Sequence, residues 1–428
     1  MKRHLFVMEG SSALEVDKQA RVVVQPVIDW LVQDARQYLH RTQLLFGQFC
    51  AELIGLGIPV DRVTIHIRQL HPEFEARTLL WTSDAGGAVI HDRAHGIRNN
   101  ELFLKSPVKT VIMDEQTVRR RLSDPDCLLD YPIVADLKGA GFTDYTIRPF
   151  FFAKQERMAI SFATKAPEGF SDLCIAVFDA LMPTFGACIE LTETKRTGRL
   201  LLDTYVGSQA GQRVWSGDVR RGEGTDIEAA IWLCDLRGFS SLSTIMPRNE
   251  VIGLLNRYFD AVCEPVEQEG GEVLKFIGDA ALAIFRQDTP KASVNSAIVA
   301  AEKALKSLEV FNETLHDPSC PSWPLRCGIS IHYGEMMYGN IGAMDRLDFT
   351  VIGADVNLAA RLQDLTRDID PPLVLSACAA HHSCRETRSI GRFRFKGFAK
   401  EQEAYCLGSA HIPRTGHEAA AKKAVNAG

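Results

Sequence analysis

From Ile227 to Leu236 the chain runs almost without polar interruption, broken only by Glu228 and Asp235. An apolar run of that kind reads as a strand covered on both faces, the centre of a sheet around which the neighbouring segments must pack. Its end carries a carboxylate. Burying a carboxylate is costly unless something cationic offsets it, and a metal ion is one such partner for Asp235.

The segments after this run follow a recognisable order. A helix pattern covers Asn249 to Gln268 and stops at Gly270-Gly271, where glycine is expected beyond a helix C-terminus. A hairpin follows, from Glu272 to Ile277, through the turn Gly278-Asp279, to Ala280–Phe285. Helix from Lys291 to about Leu315, strands at Leu325–Tyr333 and Leu347–Ile352, and helix from Asp355 to Arg367 complete β-α-β-β-α-β with additions. That order is ferredoxin-like and α+β.

Ahead of the apolar run, Val206 to Thr225 collects Gly207, Gly211, Gly217, Gly222 and Gly224 among polar residues, a composition that punctuates regular structure and marks a domain boundary. The first part reads as an amphipathic helix from Pro26 to about Leu56. Two hairpins follow, built on Arg62–Leu70 with Ala76–Trp81 and on Tyr145–Phe152 with Met158–Thr164, the latter pair flanking the polar turn Lys154 to Arg157. A helix from Ser171 to about Tyr205, with a break expected at Pro183, closes the unit. In element order this α+β unit resembles a GAF-like sensory domain. The expected organisation is therefore a sensory or regulatory domain at 1–205, a linker at 206–226, a catalytic domain at 227–409 and a polar tail at 410–428.

Composition excludes several classes. With 46% hydrophobic and 24% charged residues the chain is neither disordered nor a coiled-coil rod. A formal net charge of −6 supplies no global basic field, so bulk binding to nucleic acid or to an anionic membrane is not expected. The 11 cysteines are scattered singly, Cys320 among them, without a Cys-x-x-Cys pair. The apolar start at Met1–Met8 is too short for export, and no stretch reaches the 18 or more uncharged apolar residues of a membrane span. Reduced thiols in a cytoplasmic protein are the expectation.

Three further features carry chemistry. Asp279, in the hairpin turn next to the central strand, is placed to converge with Asp235 on a pair of hard cations such as Mg²⁺. Arg237-Gly238-Phe239-Ser240 forms a glycine-containing turn leading toward a helix, a geometry that aims backbone N–H groups at phosphate oxygens. On the last helix, Asn357 and Arg361 are four residues apart and share a face, offering an amide and a guanidinium to sugar and phosphate together.

Four blocks together resemble the class III nucleotide cyclases over about Ile227 to Gly408. They are Leu233-Cys234-Asp235-Leu236-Arg237-Gly238-Phe239-Ser240, Gly270-Gly271-Glu272-Val273-Leu274-Lys275-Phe276-Ile277-Gly278-Asp279, Ile352-Gly353-Ala354-Asp355-Val356-Asn357-Leu358-Ala359-Ala360-Arg361-Leu362, and Phe395-Lys396-Gly397-Phe398. The resemblance implies that Asp235 and Asp279, with the carbonyl of Leu236, bind two Mg²⁺ or Mn²⁺ ions per site. It implies that Arg361 stabilises the transition state at the α-phosphate, that Asn357 positions the ribose, and that Lys396 touches the triphosphate. Lys275 matches the base-recognising lysine. Adenine asks for one donor and one acceptor, which Lys275 and the hydroxyl of Thr350 supply, whereas guanine would call for an acceptor at the lysine position. The commonest family pattern has Asp where Thr350 stands. Threonine there resembles a subgroup of bacterial and related adenylate cyclases, some of them bicarbonate-responsive. The implied partners are ATP, a second copy of the chain that completes each active site, and an unknown sensory ligand. The alternatives are a guanylate cyclase and an inactive nucleotide-binding or dimerisation module, the latter disfavoured because a dead copy has no need of both aspartates, Asn357 and Arg361.

Three other patterns are set aside. Cys378, His381, His382 and Cys384 form a compact cluster with zinc-like composition, but no surrounding segment suggests a metal-stapled subdomain. Gly270-Gly271-Glu272-Val273 is similar to the signature loop of diguanylate cyclases, yet the residues around it are the class III set. His71, His91 and His95 lie beside turns, where solvated histidines are the ordinary case.

Overall fold

The computed structural model describes residues 12–153, 156–314, 324–369 and 371–408. Cys320, the polar tail, the N-terminal Met1–Met8 segment and Lys154 with Gln155 lie outside them. The chain divides into two compact units, Met1–Leu201 and Leu202–Gly428.

In the first unit, helices α1 (Ala13–Val23), α2 (Gln25–Gln33) and α3 (Thr42–Gly55) precede strands β1 (Arg62–Arg68), β2 (Phe74–Thr82) and β3 (Ala88–Ala94). Short helices α4 (Glu101–Leu104) and α5 (Pro107–Ile112) lead to β4 (Val118–Arg121), α6 (Pro132–Gly139), β5 (Asp144–Phe151), β6 (Arg157–Thr164) and the long α7 (Asp172–Val206). The strands form one antiparallel sheet in the order β3-β2-β1-β6-β5-β4. The single helix expected from Pro26 to Leu56 is in fact broken, because the chain leaves helical geometry around Ala35–Tyr38 and is extended at Arg41. Its apolar periodicity survives the break since Leu31, Ala35, Phe46 and Phe49 all reach the same core. The break expected at Pro183 is absent. Leu181, Met182, Phe185 and Ile189 are buried on both sides of the proline, and that packing outweighs one lost backbone bond. By length and composition α7 is apolar enough to cross a membrane, but half of its most apolar window is buried within the fold.

The second unit opens with a helix, α8 (Ser208–Ser216), inside the segment read as irregular. Its glycines do not prevent it, because Gly211 lies where Leu202 and Asp203 leave no room for a Cβ and Ala210 enters the core. Then come β7 (Gly224–Leu236), α9 (Phe239–Ile245), α10 (Arg248–Gln268), β8 (Gly271–Ile277), β9 (Ala280–Phe285) and α11 (Pro290–Thr314). They are followed by β10 (Cys327–Ala343), β11 (Arg346–Ile352), α12 (Ala354–Leu365), β12 (Leu373–Ser376), α13 (Ala377–His382), β13 (Thr387–Phe393) and β14 (Gln402–Leu407). The sheet order is β13-β14-β12-β10-β7-β9-β8, with β11 paired to β10. The inner run β10-β7-β9-β8 is the ferredoxin-like order, and β7 lies between two antiparallel neighbours as its apolar run requires. β10 extends well past the expected Tyr333. Its glycines are packing residues rather than turn residues: a Cβ on Gly339 would stand 2.2 Å from the Glu223 carbonyl oxygen.

The first unit's core is aromatic. Phe178 of α7 stacks on Phe162 of β6 with ring centroids 3.9 Å apart, and Phe170 meets Phe178 edge-on at 5.2 Å. All three are buried. Phe178→Ala should destabilise this unit by about 3–5 kcal/mol, seen as a lower thermal or urea midpoint of its unfolding transition.

Candidate active site

Asp235 is the penultimate residue of β7 and is buried. It pairs with Ala280, the first residue of β9, so Asp279 in the preceding turn is carried to the same end of the sheet. The two carboxyls lie within hydrogen-bonding reach of each other. Asp279 is held above its ordinary 3.8, first by burial and then by the negative charge of Asp235. Two like charges forced together at a poorly solvated strand end are short of positive charge.

Part of that charge comes from a residue that the sequence reading did not single out. Arg367, just beyond α12, donates from Nη2 to Asp235 Oδ2 at 2.5 Å, and its guanidinium also stands 3.6 Å from Asp364. Asp364 in turn accepts from Arg361 Nη1 at 3.2 Å. Arg361, Asp364, Arg367 and Asp235 thus form one alternating chain of charges, with the catalytic candidate Arg361 at one end and the like-charged Asp235–Asp279 pair at the other. The spacing of Arg361, Asp364 and Arg367 at three-residue steps was the available signal.

Helix α12 is fixed at both ends. At its C-terminal end, Arg237 Nη2 donates to the Thr366 carbonyl at 2.7 Å, tying the helix to the loop that follows Asp235. At its first turn, Asp355 Oδ2 accepts the Glu335 N–H at 2.8 Å, and Asp355 Oδ1 sits 3.3 Å from Nε2 of the buried His332. His332 Nδ1 is hydrogen-bonded to Ser376 Oγ at 2.8 Å. This close approach needs Gly334, where a Cβ would stand 2.1 Å from Asp355 Oδ2. Sequence reasoning missed His332 and Asp355, whose role emerges only when β10 and α12 pack.

The other candidates take their places as follows. Leu236 is buried beside Asp235. Gly238 adopts a left-handed φ of 78° ahead of α9, and Phe239 packs its ring on the core, leaving its backbone N–H for any ligand. Asn357 and Arg361 are both exposed on α12. Lys275 stands on β8 past a bulge, and Thr350 on β11 pairs with Gly339. The Thr350 hydroxyl is buried without a partner among the described residues. Lys396 is exposed in the turn between β13 and β14. Among the described residues, Lys275, Thr350 and Lys396 make no hydrogen bond or ion pair with the aspartates of their own chain.

The aspartates fit a hard divalent cation. Their oxygens are the donor type Mg²⁺ and Mn²⁺ prefer, and Mg²⁺ commonly takes only one or two carboxylates, completing its shell with phosphate and water. Among the described residues no group of three or more His, Cys, Asp or Glu side chains converges as a metal cage. Cys378 and Cys384 are exposed, while the rings of His381 and His382 pack on each other and His382 packs on Tyr333.

Residues 225–407 match the family model of the adenylate and guanylate cyclase catalytic domain. That stretch of the second unit is similar to the catalytic domain of this family. An uncharacterised protein of Mycobacterium tuberculosis is 31% identical over 226 residues, 51% of this chain and 40% of that protein. The adenylate cyclase of Anabaena cylindrica is 28% identical over 195 residues, 45% of this chain and 38% of that protein. The chain thus spans 40% or less of the length of these curated relatives. The crystal structure of the adenylyl cyclase CyaB from P. aeruginosa is similar with a TM-score of 0.41 and 24% identity, covering 44% of this chain and 97% of that one. The family model covers both adenylate and guanylate cyclases, so the match does not distinguish ATP from GTP.

Burial outweighs the attraction of Asp355 and holds His332 below its ordinary 6.5. The unfolded chain therefore takes up a proton there before the folded one does, and the stability contributed above 6.5 is lost as pH falls through that value. His332→Gln should flatten this acid limb in thermal melts recorded between about pH 5 and 8.

Proposed function

We propose that the protein is an adenylate cyclase, converting ATP to 3′,5′-cyclic AMP and pyrophosphate, acting as a cytoplasmic homodimer and regulated by its first unit. The observation that carries this reading is the Asp235–Asp279 pair, two carboxyls pressed together at the end of the central strand of a cyclase-family domain. Two Mg²⁺ or Mn²⁺ ions, when bound, supply the charge that lowers the pKa of the ribose 3′-hydroxyl and neutralises the polyphosphate. Asp235, Asp279 and the Leu236 carbonyl hold them.

The remaining residues bind and orient. Backbone N–H groups at Gly238 and Phe239, with Lys396, take the triphosphate. Asn357 fixes the ribose so that its 3′-oxygen faces the α-phosphorus, and Arg361 meets the charge that develops there as the new P–O bond forms and the bond to pyrophosphate breaks. Lys275 donates to adenine N1, and Thr350 accepts from the N6 amino group. The unpartnered, buried hydroxyl of Thr350 supports this assignment, because a polar atom in that condition gains most from a ligand. Among the described residues of one chain Arg361 reaches the aspartates through Asp364 and Arg367, which suits a site whose metal-binding and transition-state residues come from different subunits.

Purified protein assayed on ATP and on GTP in parallel, with Mg²⁺ and with Mn²⁺, should make cyclic AMP in clear preference. Preference for GTP would overturn the base assignment, and no product under any condition would overturn the enzymatic one. Arg361→Ala should lower kcat about 10²–10³-fold, as loss of one transition-state donor does elsewhere. Inactive Asp279→Ala and Arg361→Ala chains, when mixed, should regain activity at one of the two sites of the heterodimer. Persistent inactivity in a mixture shown to form heterodimers would rule out shared sites.

A further inference from the structure

The first unit contains a cavity of about 290 Å³ on one face of its sheet. Along β1 the side chains alternate. Val63, Ile65 and Ile67 point into the hydrophobic core, while Arg62, Thr64 and His66 line the cavity on the opposite face. Arg93 of β3 lines it too, and Leu80, Val108 and Ile133 supply apolar wall. Toward β5 and β6 the same face is apolar and packs against α5 and α6 through Val111, Val134 and Ile147. The cavity is therefore partly covered on this side and open toward β3, where His91 and Arg93 are exposed.

Arg62 is half-buried in the cavity, and Arg93 is exposed at its open side. Arg77, Arg119, Arg120 and Arg148 are each paired with an aspartate. Among the described residues, neither Arg62 nor Arg93 has a carboxylate within ion-pair distance. Burial lowers the pKa of Arg62, with Tyr145 the one neighbour acting in the other direction. His66, half-buried and hydrogen-bonded to Thr78 Oγ1 at 3.1 Å, is driven down to about 3 by burial and by the two arginines, so it remains a neutral ring. Thr64 is 3% exposed, and its hydroxyl has no partner among the described residues. The half-buried Arg62 and the unsatisfied, buried Thr64 hydroxyl thus line the cavity together with the exposed Arg93.

We propose that this cavity binds a small organic anion, its carboxylate or phosphate held by Arg62 and Arg93 with Thr64 as a further partner, and its apolar body laid against Leu80, Val108 and Ile133. Guanidinium groups match both anions through paired N–H donors. The volume lies at the small end of ligand pockets, which start near 300 Å³, and a benzene-sized cavity takes about 150 Å³, so one ring and one anionic group fill it.

Calorimetric titration of the full chain with benzoate, with phenyl phosphate and with neutral benzamide, at fixed ionic strength, tests this. At least one anion should bind saturably, one per chain, and raise the unfolding temperature of the first unit, while benzamide should do neither. The two anions separate the carboxylate from the phosphate source. Arg62→Gln should weaken binding about tenfold or more, and so should Arg93→Gln, whose exposed side chain can be changed without disturbing the core. Binding of benzamide as tight as that of the anions, no saturable binding of either anion, or unchanged affinity in a folded Arg93→Gln protein would overturn the proposal. The readout is binding alone, so the result is independent of cyclase activity.

Discussion

Two carboxyls crowded at the end of a buried strand set the terms for the second unit. β7 must be central and apolar to be covered on both faces, and that placement brings Asp235 to a strand end with little water around it. The β8–β9 hairpin then delivers Asp279 to the same spot by register alone. Coulomb repulsion and desolvation act in the same direction on the pair, raising Asp279, and only positive charge relieves both. Arg367 supplies some of it and leaves acidic oxygens for a hard cation.

The helix that bears Asn357 and Arg361 depends on the same strand end. Arg237, two residues after Asp235, grips the carbonyl of Thr366, and Arg367 grips Asp235 itself. At the other end, Asp355 is seated against β10 by His332 and the Glu335 N–H, in the space that Gly334 leaves open. A helix held at both ends by charged or buried hydrogen bonds loses little freedom when its exposed face meets a ligand, the condition under which oriented donors contribute most to a reaction.

Much of this was legible in the sequence, and what was missed has a physical pattern. The β7 run, the β8–β9 hairpin and the α10 helix were read closely because each carries a strong local signal: unbroken apolarity, a Gly-Asp turn, and a Gly-Gly stop. Asp235 and Asp279 could be paired from strand adjacency alone. His332, Asp355 and Arg367 could not, since their partners are distant in sequence and their spacing resembles ordinary surface or core positions. The glycines of β10 and α8 misled for a related reason. Glycine signals a turn locally, but here Gly339 and Gly211 serve close packing. In the first unit the aromatic core strands were clear, whereas β3, with its polar His91-Asp92-Arg93, and the short helices α4 to α6 carry too little periodicity to be seen.

Arg367 also bears on the charge that the strand end carries. Its side chain is 60% exposed, long and flexible, yet its tip rests on one of the two acids. The strand end therefore carries a tethered counterion, and under the proposed function a divalent ion would displace it from Asp235 rather than meet a bare pair.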